Sequence, residues 1–340
     1  MEHKQQAKWF YGVDSIRFIL AFVVMLSHFD NVYALSLKTS TLLPVKVFAA
    51  FLANAFDGTS AVIAFFIISG FVIHYPSKNG IGNVWQFWMR RFLRILVPLV
   101  IIIAAGSFFD HPEKTVTWSL YCELIYYAIY PLLLKINYSW QTKFIAAWIL
   151  AAVFIGVGAY HDVYALITQD NNQYHGYYWQ FGNGLTWIIG LPCWLLGVLI
   201  ADKIDEQKPV TFSKVVIYRI IVFGISCFCS MAKFHLHLSY IISMNIFALL
   251  LYKWLRAEIV YYRNKRANVT LEKMGKFSYS LYLCHPLIFV LLKQWMAVDN
   301  LTYALFIVLT VAAAYLFYLV VERPAHQLAR GINRKYFSPG

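Results

Sequence analysis

Apolar stretches of membrane-spanning length follow one another along nearly the whole chain, separated by short polar connections. They fall at roughly 14–35, 59–76, 85–106, 117–137, 142–160, 179–201, 214–232, 236–256, 276–296 and 301–321, each close to the ~20 residues a helix needs to cross hydrocarbon. The pattern predicts an all-α integral membrane protein of about ten transmembrane helices. An even number of spans puts both termini on one side. No linker, repeat or low-complexity tract interrupts the series, so 1–340 is expected to form a single transmembrane domain with no appended soluble domain. The longest polar connections on the far side fall at about 36–58 and 161–178. The second is rich in amides, carboxylates and aromatics and lacks Lys and Arg. It suits stacking on a sugar, or equally a wet loop with interfacial Tyr and Trp.

The first run carries two ionisable groups. Arg17 and His28 are separated by ten residues, nearly all apolar. Eleven steps of about 100° close to within about 20° of three turns, so both side chains share one helix face. They stand about 16 Å apart along the axis, roughly half the hydrocarbon thickness. One can then sit at the membrane surface while the other lies well inside, where an ionisable group marks function by default. The alternative is a snorkelling arginine and a histidine packed on a neighbouring carbonyl.

Composition supports the membrane assignment, with 60% hydrophobic and only 13% charged residues against about a quarter charged in soluble domains. The net charge of +13 does not indicate nucleic acid, because its distribution follows the spans. Of the 29 lysines and arginines, only Lys38, Lys46, Lys114, Lys233 and Lys293 fall on the side opposite the N-terminus. The other side includes Lys4, Lys8, Arg334 and Lys335. So strong a bias predicts that both termini are cytoplasmic. Cys122, Cys193, Cys227, Cys229 and Cys284 all lie in apolar runs and read as small buried hydrophobes, with neither a disulfide framework nor metal-ligand spacing. The first run is too long for a cleavable signal peptide.

Depth can be compared between helices once this topology is adopted. His28 lies about seven residues before the outer end of the first run, and Glu123 about six residues after the start of the fourth. Both are then about 9–10 Å below the outer surface. A carboxylate at that depth needs a partner, and an imidazole at equal depth would complete a general-base pair in which Glu123 orients His28. A bond from Glu123 to Ser119 or to a tyrosine is the other reading. Arg91 and Arg94 are three apart and share a face. With Arg17 they would form a cationic inner mouth matched to phosphate, or bind anionic lipid head groups. His285, before Pro286 in the ninth run, either lines the same cavity or satisfies the backbone that proline breaks. Ser69-Gly70 suits close helix approach or a substrate hydroxyl, and Glu322 is expected to neutralise a nearby arginine.

These segments occur in a familiar order: Arg17 and His28, Phe-Phe-Ile-Ile-Ser69-Gly70-Phe71, Arg91-Phe-Leu-Arg94, Trp118-Ser119-Leu120 leading to Glu123, Ser278-Tyr279-Ser280 leading to His285-Pro286, and Glu322-x-Pro324. The chain resembles the integral membrane acyltransferase-3 family, which acetylates bacterial surface glycans. The resemblance implies acetyl-CoA as cytoplasmic donor, His28 as catalytic base and donor-handling roles for Arg17, Arg91 and Arg94. It implies a glycan or lipid-linked sugar as acceptor, and residence in the cytoplasmic membrane. Partners are then acetyl-CoA, the acceptor and membrane lipids, with no metal and no nucleic acid. A ten-helix secondary transporter or lipid-linked glycan flippase is the alternative, since an Arg and a His on one pore face also suit a proton-coupled carrier. The family named for membrane-bound O-acyl transfer ranks below both.

Overall fold

The structure, a computed structural model, describes residues 10–29, 31–109, 111, 116–170, 172–263 and 265–337, with side chains as far as 331. Lys4, Lys8 and Lys114, which entered the charge asymmetry, lie outside the described residues, as do the side chains of Arg334 and Lys335. Among the described residues the chain is helical throughout, without strands. In order the helices are α1 (Val13–His28), α2 (Val32–Lys38), α3 (Leu43–Asn54), α4 (Gly58–His74), α5 (Val84–Phe108), α6 (Thr117–Lys135), α7 (Trp140–Gly158) and α8 (Tyr160–Thr168). There follow α9 (Gly182–Lys203), α10 (Phe212–His235), α11 (Tyr240–Tyr262), α12 (Val269–Gly275), α13 (Ser278–Lys293), α14 (Thr302–Phe317) and α15 (Arg323–Phe337).

Each apolar run contains a helix, but not every helix qualifies as a span. Among the described residues 6 are long and apolar enough to cross a membrane, or up to 8 if each bent helix pair is one span. Two long helices, α6 and α11, fall outside that set. Polar residues lower the hydropathy of both: α6 carries Glu123 and four tyrosines, and α11 carries Asn245, Lys253, Arg256 and Glu258. The first run is not one helix to residue 35. It stops at His28, and Asn31 starts α2 by accepting a hydrogen bond from Ala34 N at 3.1 Å. The expected outer connections also contain helices, α3 in the first and α8 in the second.

α4 and α9 form the centre of the bundle, and two glycines set how closely they pack. A Cβ on Gly70 would lie 2.0 Å from the Trp194 carbonyl oxygen, and one on Gly197 would lie 1.8 Å from that of Ile67. Only backbone fits at those crossings. α1 packs beside α4, α12 and α13. Its N-terminus is capped from a distance, since Glu272 of α12 accepts from Gly12 N and Ser15 N at 3.0 Å each and from Ser15 Oγ at 2.6 Å. Those bonds satisfy amides that a helix start leaves without partners. α12 and α13 are bent by 64°, which directs α13 alongside the polar face of α1.

Candidate active site

Two cavities adjoin at Val62 and Tyr282, one with Arg17 of α1 in its wall and the other with His28. The first, of about 110 Å³, is lined by Arg17 of α1, Arg91 and Arg94 of α5, Ser69 of α4, and Glu123 and Tyr127 of α6. Arg17 keeps an ion pair with buried Asp14 one turn back, Nη1 to Oδ1 at 3.3 Å. Glu123 accepts hydrogen bonds from Ser69 Oγ at 2.8 Å and from Tyr127 OH, while Trp194 Nε1 donates to Ser69 Oγ at 3.2 Å. Both hydrogen bonds to Glu123 fall on its Oε1. The cavity gathers three guanidinium groups, one of them already paired with Asp14, and guanidinium donors suit phosphate.

The second cavity, of about 260 Å³, contains His28, Asp57, Trp118, Trp179, Tyr240 and Tyr282. Asp57 caps α4, accepting from Thr59 N at 3.0 Å and from Ser60 Oγ at 2.5 Å. Trp118 and Trp179 stack with ring centroids 5.6 Å apart. Val62 and Tyr282 line both cavities, so the partition between them at these residues is one side chain thick. Tyr282 OH is 2.6 Å from Ser119 Oγ.

Behind His28 stands His285, wholly buried in α13. His285 Nε2 is 3.2 Å from His28 Nδ1. His285 Nδ1 is 3.1 Å from the Leu281 carbonyl, and His28 Nδ1 is 2.9 Å from that of Val24. A carbonyl only accepts, so in the neutral rings each Nδ1 carries hydrogen. His285 Nε2 then presents its lone pair to His28 Nδ1–H. His28 Nε2 is left with a lone pair on a ring that lines the second cavity.

The structure brings Arg17, Arg91 and Arg94 together and sets His28 beyond the partition. It does not form the expected His28–Glu123 pair. Glu123 is satisfied by Tyr127 one turn along its own helix and by Ser69, on the arginine side of Tyr282. Glu322 lies near Arg94 and Arg17, as expected of a neutralising carboxylate, and it has a second set of partners. It sits in a π-helical turn, Tyr318–Glu322, and accepts from Ser280 N at 3.1 Å and Ser280 Oγ at 2.6 Å, holding the first turn of α13. In the connection 161–178, Asp162 is fully buried and accepts from His175 N, Gly176 N and Gln180 Nε2. It braces the loop and is not turned toward a sugar. Of the nearby aromatics, Trp179 reaches the histidine cavity.

A family model for an acyltransferase domain matches residues 10–112 and 106–319. The chain belongs to the acyltransferase-3 family. No curated protein and no solved structure matches it. As a member of this family the protein is a multi-pass membrane acyltransferase, acting on an acyl donor and an acceptor, and nothing supports the carrier alternative. Among the described residues no group of three or more His, Cys, Asp or Glu is placed to hold a metal ion. All five cysteines are free and buried.

Proposed function

We propose that this acyltransferase moves an acetyl group from cytoplasmic acetyl-CoA to a hydroxyl of a cell-envelope glycan or lipid-linked sugar. Ten helices with both termini cytoplasmic, in the cytoplasmic membrane, are the topology this reading adopts, resting on the charge asymmetry. The donor's phosphates dock on Arg17, Arg91 and Arg94, and the pantetheine arm carries the thioester toward Tyr282. The acceptor hydroxyl enters the histidine cavity. His28 Nε2 takes its proton as the oxygen attacks the thioester carbonyl. The C–S bond breaks, the proton passes to the CoA thiolate, and CoA leaves on the arginine side. Tyr282, on the partition, would serve the developing oxyanion only by giving up its hydrogen bond to the Val116 carbonyl at 3.2 Å. The Ser69 hydroxyl is occupied with Glu123. His285 orients the base, while Glu123 belongs to the donor cavity as a positioning residue for the arginines.

The observation that supports this reading is that a guanidinium-lined cavity and an imidazole-lined cavity share Val62 and Tyr282 as walls. Incubating purified protein with acetyl-labelled CoA and cell-envelope glycan tests it. Label should appear on the glycan as a hydroxylamine-labile ester; label remaining wholly on CoA would overturn the reading.

A further inference from the structure

We infer that an apolar groove beside α1 holds the hydrocarbon tail of a lipid-anchored acceptor, so that the head group alone enters the histidine cavity. This rests on the acyl-transfer reading above and specifies its acceptor class. The groove has a volume of about 480 Å³ and runs between α1, α4, α10 and α11, within the size range of small-molecule sites. Its shaft is made by Ile19, Val23, Val222, Phe223, Phe247 and Leu251. From Ser15 to Val23 it follows α1 for about 12 Å. Ile19 and Phe223 are 48% and 46% exposed, so the shaft is open on one side along its length.

The two ends decide which way an occupant lies. At one end Arg219 and Glu258 are joined twice, Nε to Oε1 at 2.6 Å and Nη2 to Oε2 at 2.9 Å, and Trp254 Nε1 donates to the same carboxylate at 2.8 Å. That charge is internally matched and offers no ion to a head group. At the other end are Phe56 and Asp57, and both also line the cavity that contains His28. A long-chain glycolipid fits this continuity, with its chain against the shaft and its sugar hydroxyls past Asp57 beside His28. A free water-soluble glycan would leave the shaft unused.

Two measurements on the full chain in nanodiscs test the inference. A hexadecyl glucoside with a diazirine at mid-chain should label Val222, Phe223 or Leu251. Ser226→Trp, which fills the groove from α10, should cut that labelling at least fivefold. Labelling spread over the whole lipid-facing surface, or displaced equally well by excess phosphatidylcholine, would overturn the proposal by making the groove a site for bulk lipid only. For transfer, lipid-linked glycan extracted from membranes is compared with the same glycan freed by mild acid. The anchored form should have a KM at least tenfold lower, and Ser226→Trp should erase that advantage without changing the KM of the freed glycan. Equal use of both forms by the unaltered protein would overturn the proposal and leave acyl transfer standing. Groove labelling with acetyl transfer to neither glycan would sustain the groove and discard the acetyl-transfer reading.

Discussion

His285 Nε2 faces His28 Nδ1 at 3.2 Å, and this contact takes the place of a carboxylate behind the proposed base. Its consequence is tautomeric. With the Val24 carbonyl and His285 Nε2 both facing His28 Nδ1–H, the imidazole of His28 is held with Nε2 as its proton acceptor. Replacing His285 by Phe should lower kcat about 10–100-fold, as for other imidazoles whose supporting hydrogen bond is deleted. The KM for acetyl-CoA should stay within about twofold, since His285 does not line the arginine cavity. Steady-state kinetics with each substrate varied separates the two effects.

Glu123 is expected to behave differently. Because it bonds to Ser69 and Tyr127 and not to His28, Glu123→Gln should change the KM for the donor and leave the pH at which the rate reaches half its plateau unmoved. A pH–rate profile of kcat that shifts in the Gln variant would restore the direct coupling the sequence suggested.

Arg91→Ala combined with Arg94→Ala should weaken donor binding while leaving the protein folded. Each charge-assisted hydrogen bond is worth about 1.5–3 kcal/mol, so loss of one such contact per arginine, two in the double variant, raises Kd by more than about a hundredfold. Titration calorimetry with CoA checks this. Unchanged affinity would return both arginines to lipid head-group binding.

Packing makes its own prediction. A Cβ at Gly197 would lie 1.8 Å from the Ile67 carbonyl oxygen, so α4 and α9 must separate to admit it. Gly197→Ala should destabilise the protein by about 1–3 kcal/mol, the usual cost of overpacking. A thermal melt in detergent would show the lower midpoint. Gly224→Ala, inside α10 with nothing within 4 Å of the added carbon, is the control and should melt no lower than the unaltered chain, since alanine favours the helix.

Much of this arrangement was legible in the sequence for simple reasons. Hydrophobic runs of span length are a strong signal, and each one holds a helix. The spacing of Arg17 and His28 puts both on one face of α1, and each lines a cavity, because helical periodicity is insensitive to what surrounds it. The partners of these residues were not legible. Which group meets His28 depends on the 64° bend between α12 and α13, and nothing local in the sequence specifies that angle. Equal depth suggested Glu123, but depth says nothing about rotation about the helix axis. Tyr127, at i+4 from Glu123, was the nearer solution. The termination of α1 near His28 had a local signal, the polar Asp30-Asn31 pair of helix-capping type, but the apolar residues on either side of it read as one continuous run.

The claim on which the account turns is that His28 accepts the proton of the acceptor hydroxyl. Single-turnover transfer by purified His28→Ala, with acetyl-CoA affinity measured on the same sample, tests it most directly. The account predicts donor affinity within about twofold of the unaltered protein and transfer slower by about 10²–10⁴-fold, the loss expected of a general base. Transfer at close to the unaltered rate, with the donor still bound, would contradict it.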